Sequence, residues 1–218
     1  MANTTKPDIL IFSDSGIGGG LKKMKEKANV HQAYFVVPGE PFRLLKQFPS
    51  ARAIWIVDAT IVRQEHSGLS SQVVNYVKNR GGTVILGGFF ASFVRSNELD
   101  RWFRDSWGMP WRVGQYERTT VRLQDSHVGL AGSNKSSLTT SYSSKASFLQ
   151  NVSPSDSLYA SPLGAGGESL FADGKVRIRA ETSIAFGKCG KGWLGFTGDV
   201  NNEQGTADAV LAMMNLLA

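Results

Sequence analysis

A short apolar run between two glycine pairs constrains the fold of this chain more than any other stretch. Residues 83–86 read Thr-Val-Ile-Leu, and they lie between Gly81-Gly82 and Gly87-Gly88. Such a run is typical of a short strand that is buried on both faces. The first glycine pair is expected to end a helix, and the second frees the backbone for a sharp turn. Ligands of open α/β sheets bind at such carboxyl ends, so we expect the binding edge here.

The residues before this run repeat an order of strand and helix. The predicted strands are residues 8–12, 32–37, 53–57 and 83–86, and the predicted helices are residues 21–28, 40–48 and 69–80. This order predicts parallel strands with helices on both faces. We therefore expect a single α/β domain over residues 1–218. Its predicted form is a flavodoxin-like three-layer sandwich with a mostly parallel central sheet and an added β-hairpin region in the second half.

The second half is less regular. We expect a helix at 97–107, a hairpin formed by 111–116 and 119–123, a further hairpin at 170–186, a last strand at 193–197 and a closing helix at 206–217. Residues 133–147 are rich in serine and threonine. A segment of this kind is either a flexible loop or a functional lid, and the sequence leaves both open.

Composition bears on the classes of partner. The net charge is +6, and the densest basic cluster, residues 22–27, alternates Lys with Met24 and Glu26. That pattern is typical of a solvated helix face, because nucleic-acid sites combine clustered cations with aromatic residues. Residues 1–6 are polar, and no apolar run approaches the length of a membrane span. We expect a cytoplasmic protein with no nucleic-acid or membrane partner, and homo-oligomerisation stays open.

The single cysteine, Cys189, excludes an intramolecular disulfide and a cysteine cluster for metal. We expect no metal and no cofactor. The chemistry is then left to side chains near predicted strand ends. The candidate catalytic residues are Asp14, Asp58, His66, Asp199 and Glu203. The candidate ligand-binding residues are Asp14, Ser15, Gly16, Gly18, Gly19, Gly87, Gly88, Phe89 and Asp199.

Two alternatives apply to most of these residues. Asp14 and Ser15 enter a glycine-rich turn that precedes a helix, and such a turn either binds an anion through its N–H groups or is only a capped turn. Asp58 and Asp199 each follow a predicted strand, where an aspartate either caps the next segment or points into a binding crevice.

Three stretches carry a family resemblance: AIWIVDA at 53–59, VVNYVKNRGGTVILGGFFASF at 73–93 and GKGWLGFTGDVNNE at 190–203. Their order resembles the class I glutamine amidotransferase-like superfamily, within it the ThuA-like branch. That family carries a cysteine nucleophile at a Gly-x-Cys-x-Gly elbow and a His-x-Glu pair after its last strand. Here residues 87–91 supply no thiol, and Asp199 and Glu203 stand without a histidine. The resemblance implies a degenerate catalytic triad and no glutaminase activity.

A second resemblance is local. Residues 11–20, IFSDSGIGGG, are similar to the opening of glutamate and aspartate racemases, which hold a substrate carboxylate on a glycine-rich turn. Those enzymes use two cysteines, and this chain has one. The match therefore implies at most a shared anion-binding turn.

Three functions follow as expectations. The first is an amidotransferase-like protein that lacks glutaminase activity and binds a small polar or anionic ligand at the carboxyl edge of the sheet. The second is an enzyme that acts on a small polar or carbohydrate-like substrate by carboxylate or histidine acid–base chemistry. The third is a structural or interaction subunit with a vestigial pocket.

Overall fold

Apolar runs bordered by glycine or polar residues form the strands of a computed structural model that describes residues 5–14, 21–162 and 181–217. The strands are β1 (Asp8–Ser13), β2 (Asn29–Tyr34), β3 (Ala53–Ile56), β4 (Thr83–Leu86), β5 (Arg112–Leu123), β6 (Ser141–Gln150), β7 (Ser157–Ala160), β8 (Thr182–Cys189) and β9 (Gly192–Thr197). The helices are α1 (Leu21–Lys27), α2 (Glu40–Gln47), α3 (Ser67–Lys78), α4 (Phe90–Phe93), α5 (Ser96–Trp102), α6 (Gly132–Ser136) and α7 (Gln204–Met213).

Five strands run parallel, in the order β2-β1-β3-β4-β9. The side chains of β1, β3, β4 and β9 are largely buried on both faces because helices cover both sides, whereas the edge strand β2 is only partly buried. In β1, Leu10 and Phe12 pack into one core with α2 and α3, whereas Ile9 and Ile11 pack into a second core with α1 and α7. The predicted strands at 8–12, 53–57, 83–86 and 193–197 are confirmed, whereas the strand predicted at 32–37 is shifted toward the N-terminus and spans Asn29–Tyr34.

The other four strands correct the predicted fold class. β8, β6, β5 and β7 follow β9 in the sheet, and β7 pairs back with β8, which closes these four strands into a small antiparallel barrel. Among the strand pairings of the described chain, five are antiparallel and four are parallel. The flavodoxin-like sandwich with a mostly parallel sheet and an added hairpin is therefore wrong.

The predicted fold class is wrong because the sequence pattern does not reveal the polar strands of the barrel. Residues 112–123 form one long strand, not the hairpin predicted at 111–123. The serine-rich segment predicted as a loop or lid contains α6 and most of β6, in which Ser144, Ala146 and Phe148 alternate toward the barrel interior. Pairing with β5 and burial of one face outweigh the weak strand preference of serine. Most of the hairpin predicted at 170–186 lies outside the described residues.

The chain leaves β4 through a sharp turn, as the glycine pairs predicted. Gly88 has φ +67°, in the left-handed region that favours glycine. A Cβ atom on Gly88 would lie 2.8 Å from Cγ1 of Val57, and one on Gly87 would lie 2.5 Å from Oγ1 of Thr197. Both positions therefore need glycine, Gly88 for its dihedral angle and its contact and Gly87 for its contact alone.

Replacing Gly88 with Ala should lower the free energy of unfolding by about 1–3 kcal/mol, because it adds backbone strain and a close contact with Val57. Gly132 is the matched control. It opens α6, and a Cβ atom there would have no neighbour within 4 Å. Gly132→Ala should leave stability unchanged or raise it slightly. Urea unfolding of both variants beside the parent gives the comparison, and equal stability of the two variants would contradict the strained turn.

Candidate site at the carboxyl edge of the parallel strands

The candidate site is built where β1 and β3 end side by side. Phe12 pairs with Ile56 in the parallel register, so Asp14 and Asp58, each two residues further on, reach the same edge of the sheet. The backbone N–H of Asp14 donates a hydrogen bond of 2.7 Å to Oδ2 of Asp58. The hydroxyl of Thr60 donates one of 2.7 Å to Oδ2 of Asp14. Two carboxyl groups are thereby fixed beside each other.

The carboxyl group of Asp58 is more deeply buried than that of Asp14. Its residue surface is 7% exposed. Burial raises the pKa of Asp58, and the negative charge of Asp14 raises it further, while the hydrogen bond from the Asp14 N–H works in the opposite direction. Asp58 therefore holds a proton at higher pH than an exposed aspartic acid does.

A cavity of about 410 Å³ opens in front of this pair. It is lined by Asp14, Asp58, Ala59, Thr60, Val62, Arg63, Phe93, Val94 and Glu98. Three of these side chains carry carboxyl groups and one carries a guanidinium, so the lining has an excess of negative charge. Within the described chain, Oδ1 of Asp14 and Oδ1 of Asp58 accept no hydrogen bond.

The segment after the Gly87-Gly88 turn forms one wall of this cavity, but the residues predicted to bind a ligand are not part of that wall. Phe93 and Val94 line the cavity, whereas Gly87, Gly88 and Phe89 do not. The turn at Gly88 directs the chain into α4, and the end of that helix reaches the cavity. Phe93 is 74% exposed, so this wall is apolar and open to solvent.

Asp199 and Glu203 form a separate polar cluster at the start of α7. Oδ1 and Oδ2 of Asp199 accept the backbone N–H groups of Asn201 and Glu203, both at 2.8 Å. Burial raises the pKa of Glu203, the nearby Asp199 adds to the rise, and Arg118, at 3.1 Å from Oε1, opposes it. Neither residue lines the Asp14–Asp58 cavity. Asp199 thus holds the backbone turn that precedes α7, whose N-cap residue is Glu203.

Of the remaining candidates, the described His66 lies outside the cavity lining. His66 lies at the start of α3, and its ring contacts that of Phe35 edge-on at a centroid distance of 5.5 Å. Ser15, Gly16, Gly18 and Gly19, which carry the anion-binding and racemase-like expectations, lie outside the described residues.

Three polar lining residues, Thr60, Arg63 and Glu98, were absent from the sequence candidates. Thr60 lies two residues after Asp58, and its hydroxyl reaches Asp14 at the end of the neighbouring strand. This spacing could have identified Thr60 as a candidate site residue. Arg63 and Glu98 come to the cavity from a polar loop and from α5. Nothing local in the sequence distinguishes Glu98 from other exposed helical glutamates.

Cys189 stands apart from the candidate site. Its thiol is buried in the core and donates a weak hydrogen bond of 3.5 Å to the carbonyl oxygen of Trp107. Burial raises the pKa of this thiol, although the charge of Lys78 partly opposes the rise. A buried, protonated thiol is a poor nucleophile.

Two surveys of the described part of the chain are negative. No group of three or more histidine, cysteine, aspartate or glutamate side chains is placed to hold a metal ion there. None of the helices in that part is both long enough and apolar enough to cross a lipid bilayer.

Comparison with known proteins shows a likeness of fold only. No family model and no curated protein matches the chain, so the amidotransferase-like and ThuA-like names have no support. A β-galactosidase from Bacillus circulans sp. alkalophilus is similar in structure, with a TM-score of 0.54 and 12% identity over 98% of this chain. A cytoplasmic protein of Salmonella typhimurium LT2 gives 0.49 at 12% identity, over 96% of each chain. This chain spans 31% of the β-galactosidase chain.

Replacing Asp58 with Asn should stabilise the protein more at pH 7 than at pH 4. The pKa of Asp58 is raised in the folded state, so the native protein binds the proton more tightly than the unfolded chain does. Stability is therefore lost as the pH rises above about 4 through the folded pKa, and an amide, which does not ionise, escapes that loss. The amide oxygen can still accept the N–H of Asp14.

Thermal melts at pH 4, 5, 6 and 7 measure this effect. Asp125→Asn is the matched control, since Asp125 is exposed and lies outside the cavity. The melting temperature of Asp58→Asn should rise relative to the parent as the pH increases, whereas that of Asp125→Asn should run parallel to the parent. Parallel curves for both variants would show that burial does not perturb Asp58.

Proposed function

We propose that this chain binds a small polar ligand at the carboxyl edge of the sheet, with an ammonium or hydroxyl group of the ligand donating hydrogen bonds to Asp14 and Asp58. The carrying observation is the pair of adjacent carboxyl groups, each with one oxygen unused by the described chain, at the back of an open cavity. Charge-assisted hydrogen bonds are among the stronger polar contacts in proteins. The excess of carboxyl groups favours a cationic or neutral ligand over an anion at this position.

An acid–base enzyme is the second candidate. The Asp14–Asp58 contact favours it, because two carboxyl groups in unequal surroundings can divide the roles of proton donor and proton acceptor. Asp58, whose pKa is raised, would supply the proton, and Asp14 would receive one. His66 has no part in this proposal, since it does not line the cavity.

The open, polar cavity gives less support to a vestigial pocket. A crevice filled by side chains would be expected of a purely structural or interaction subunit. Here a volume of about 410 Å³ remains in front of ionisable groups. A buried carboxyl group lowers the stability of the folded protein unless it is paired with another group. A bound ligand would pair with Asp58, so this cost favours a binding role for that residue.

We test the ligand class with four small probes: alaninamide, ethylamine, acetate and sulfate. The two amines should shift the backbone NMR signals of residues around Asp14 and Asp58, and acetate and sulfate should not shift them. Asp58→Asn should weaken alaninamide binding about tenfold or more, because one charge-assisted hydrogen bond contributes roughly 1.5–3 kcal/mol. Asp125→Asn is the control and should bind as the parent does. Acetate binding at this cavity, or equal amine affinity in Asp58→Asn, would overturn the proposal.

The chain should also lack glutaminase activity. The elbow position carries Phe89, and the only thiol of the chain is buried against Trp107. Ammonia release from glutamine should equal the buffer blank, and Cys189→Ala should leave it there. A release rate above the blank that disappears in Cys189→Ala would contradict this proposal.

Iodoacetamide should alkylate Cys189 only under denaturing conditions, because the native thiol is inaccessible.

A further inference from the structure

A groove between α5 and the start of β5 is lined by three arginine side chains. Its volume is about 520 Å³, within the range of about 300–1,000 Å³ that is typical of small-molecule sites. The lining residues are Asn97, Asp100, Arg101, Arg104, Met109, Pro110, Trp111 and Arg112. None of these residues lines the Asp14–Asp58 cavity, so the groove is a separate space.

Two folded elements hold the arginines in place. Arg101 belongs to α5, and Arg104 follows three residues later on the turn of helix that continues α5. Residues at this spacing are neighbours on a helical surface. Arg112 is the first residue of β5. Trp111, next to it, is buried and packs edge-on against Phe103 at a centroid distance of 5.5 Å, which joins β5 to the helix.

The one carboxylate among the described lining residues already has hydrogen-bond partners on both oxygens. Oδ1 of Asp100 accepts the backbone N–H of Val113 at 2.7 Å, and Oδ2 accepts the Nε–H of Arg112 at 3.3 Å. Asp100 thereby orients the guanidinium of Arg112. The two terminal nitrogens of Arg112 have no hydrogen-bond acceptor among the described residues.

The other two guanidinium groups also have unused donors. Arg104 donates to the neighbouring Asp105 at 2.8 and 3.3 Å through Nε and one terminal nitrogen, and Asp105 is not part of the lining. Arg101 is exposed and has no ion pair or hydrogen bond with the described residues. Asp105 offsets part of the charge of Arg104, whereas no described carboxylate offsets that of Arg101. The lining therefore has an excess of positive charge and free N–H donors on all three arginines.

We infer that this groove binds a small molecule that carries two or more linked phosphate groups. A guanidinium binds phosphate oxygens through paired N–H donors, and three such groups around one space can contact more than one phosphate. A bound oligophosphate would also relieve the repulsion among the three like charges. The groove shares no lining residue with the Asp14–Asp58 cavity, so this inference does not depend on the ligand proposed there.

The apolar part of the lining disfavours recognition of a nucleobase. Proteins that bind single-stranded nucleic acids stack the bases on aromatic side chains, which requires an accessible ring face. Trp111, the aromatic residue of the described lining, is 1% exposed. The phosphate groups are therefore the part of the ligand that the groove recognises.

The ligand class is tested by titration calorimetry with inorganic phosphate, pyrophosphate, tripolyphosphate and citrate. The affinity should rise about tenfold or more from phosphate to tripolyphosphate, because each added phosphate group reaches further guanidinium donors. Citrate has a charge similar to that of pyrophosphate but carries it on carboxylates. It should bind several-fold more weakly than pyrophosphate, because each phosphate group offers more acceptor oxygens than a carboxylate does.

Three variants locate the ligand. Arg101→Gln should weaken tripolyphosphate binding about tenfold or more, because it removes a charge and a fork of N–H donors. Its folding should be little affected, since Arg101 is exposed. Arg101→Lys keeps the charge but lacks the fork, so it should restore part of the lost affinity. Arg80→Gln is the control, because Arg80 is exposed and outside the groove, and it should keep the affinity of the parent.

The remaining outcomes decide against the inference. It is overturned if the parent does not bind tripolyphosphate, or if Arg101→Gln binds it as tightly as the parent does. Citrate binding as tight as that of pyrophosphate overturns the assignment to phosphate. A single-stranded oligonucleotide that binds more tightly than tripolyphosphate, and loses that affinity in Arg101→Gln, overturns the small-molecule assignment in favour of a nucleic acid.

Asp58→Asn separates this inference from the proposed function. This variant should bind tripolyphosphate as the parent does, because Asp58 is not part of the groove lining. Loss of alaninamide binding with retained tripolyphosphate binding supports two separate sites. Loss of tripolyphosphate binding in Asp58→Asn would overturn the assignment of the phosphate ligand to the arginine groove.

Discussion

The parallel pairing of β1 with β3 is the constraint on which the proposed site depends. Both strands are buried on both faces, and their apolar side chains fix the register at Phe12 and Ile56. A shift by one residue would exchange the side chains between the two cores, so the register is strongly specified. Asp14 and Asp58 are brought together as a consequence of this register. Their proximity therefore does not depend on loop conformation alone.

The insertion of β9 beside β4 joins the two halves of the sheet. β9 is parallel to β4 on one side and antiparallel to β8 on the other. This position places Asp199 beside the barrel strand β6, where it forms an antiparallel bridge with Ala146. Arg118 of β5 also donates a hydrogen bond to Glu203, so the carboxyl groups before α7 connect the parallel strands to the barrel, whereas the pair at β1 and β3 lines the cavity.

The pattern of apolar and polar residues along the chain predicts the parallel half of the fold better than it predicts the barrel. Short apolar runs such as 83–86 allow little but a buried strand, and the glycines beside them mark where each strand ends. The barrel strands are half polar, and β6 gains its strand conformation from pairing with β5 and from burying Ala146 and Phe148. Local sequence carries little of that tertiary contribution.

The candidate site was predicted in part for the same reason. Asp14 and Asp58 follow recognisable strands, so their meeting could be inferred from the expected parallel order. Asp199 also follows a strand, but its oxygens accept backbone N–H groups of the turn before α7, and sequence alone does not separate a turn-forming aspartate from a ligand-binding one. Glu98 reaches the cavity from a helix whose packing angle no local pattern encodes.

Asp14 and Asp58 are proposed to form one electrostatic unit that receives a cationic group. The most direct measurement is an NMR titration of the ¹³C-labelled side-chain carboxyl of Asp58, in the parent and in Asp14→Asn, with and without alaninamide. We expect the pKa of Asp58 to lie above that of an exposed aspartic acid, to fall in Asp14→Asn, and to fall in the parent when alaninamide binds. An Asp58 carboxyl that titrates as an exposed aspartate does, with no response to either change, would show that the two carboxyl groups do not act together.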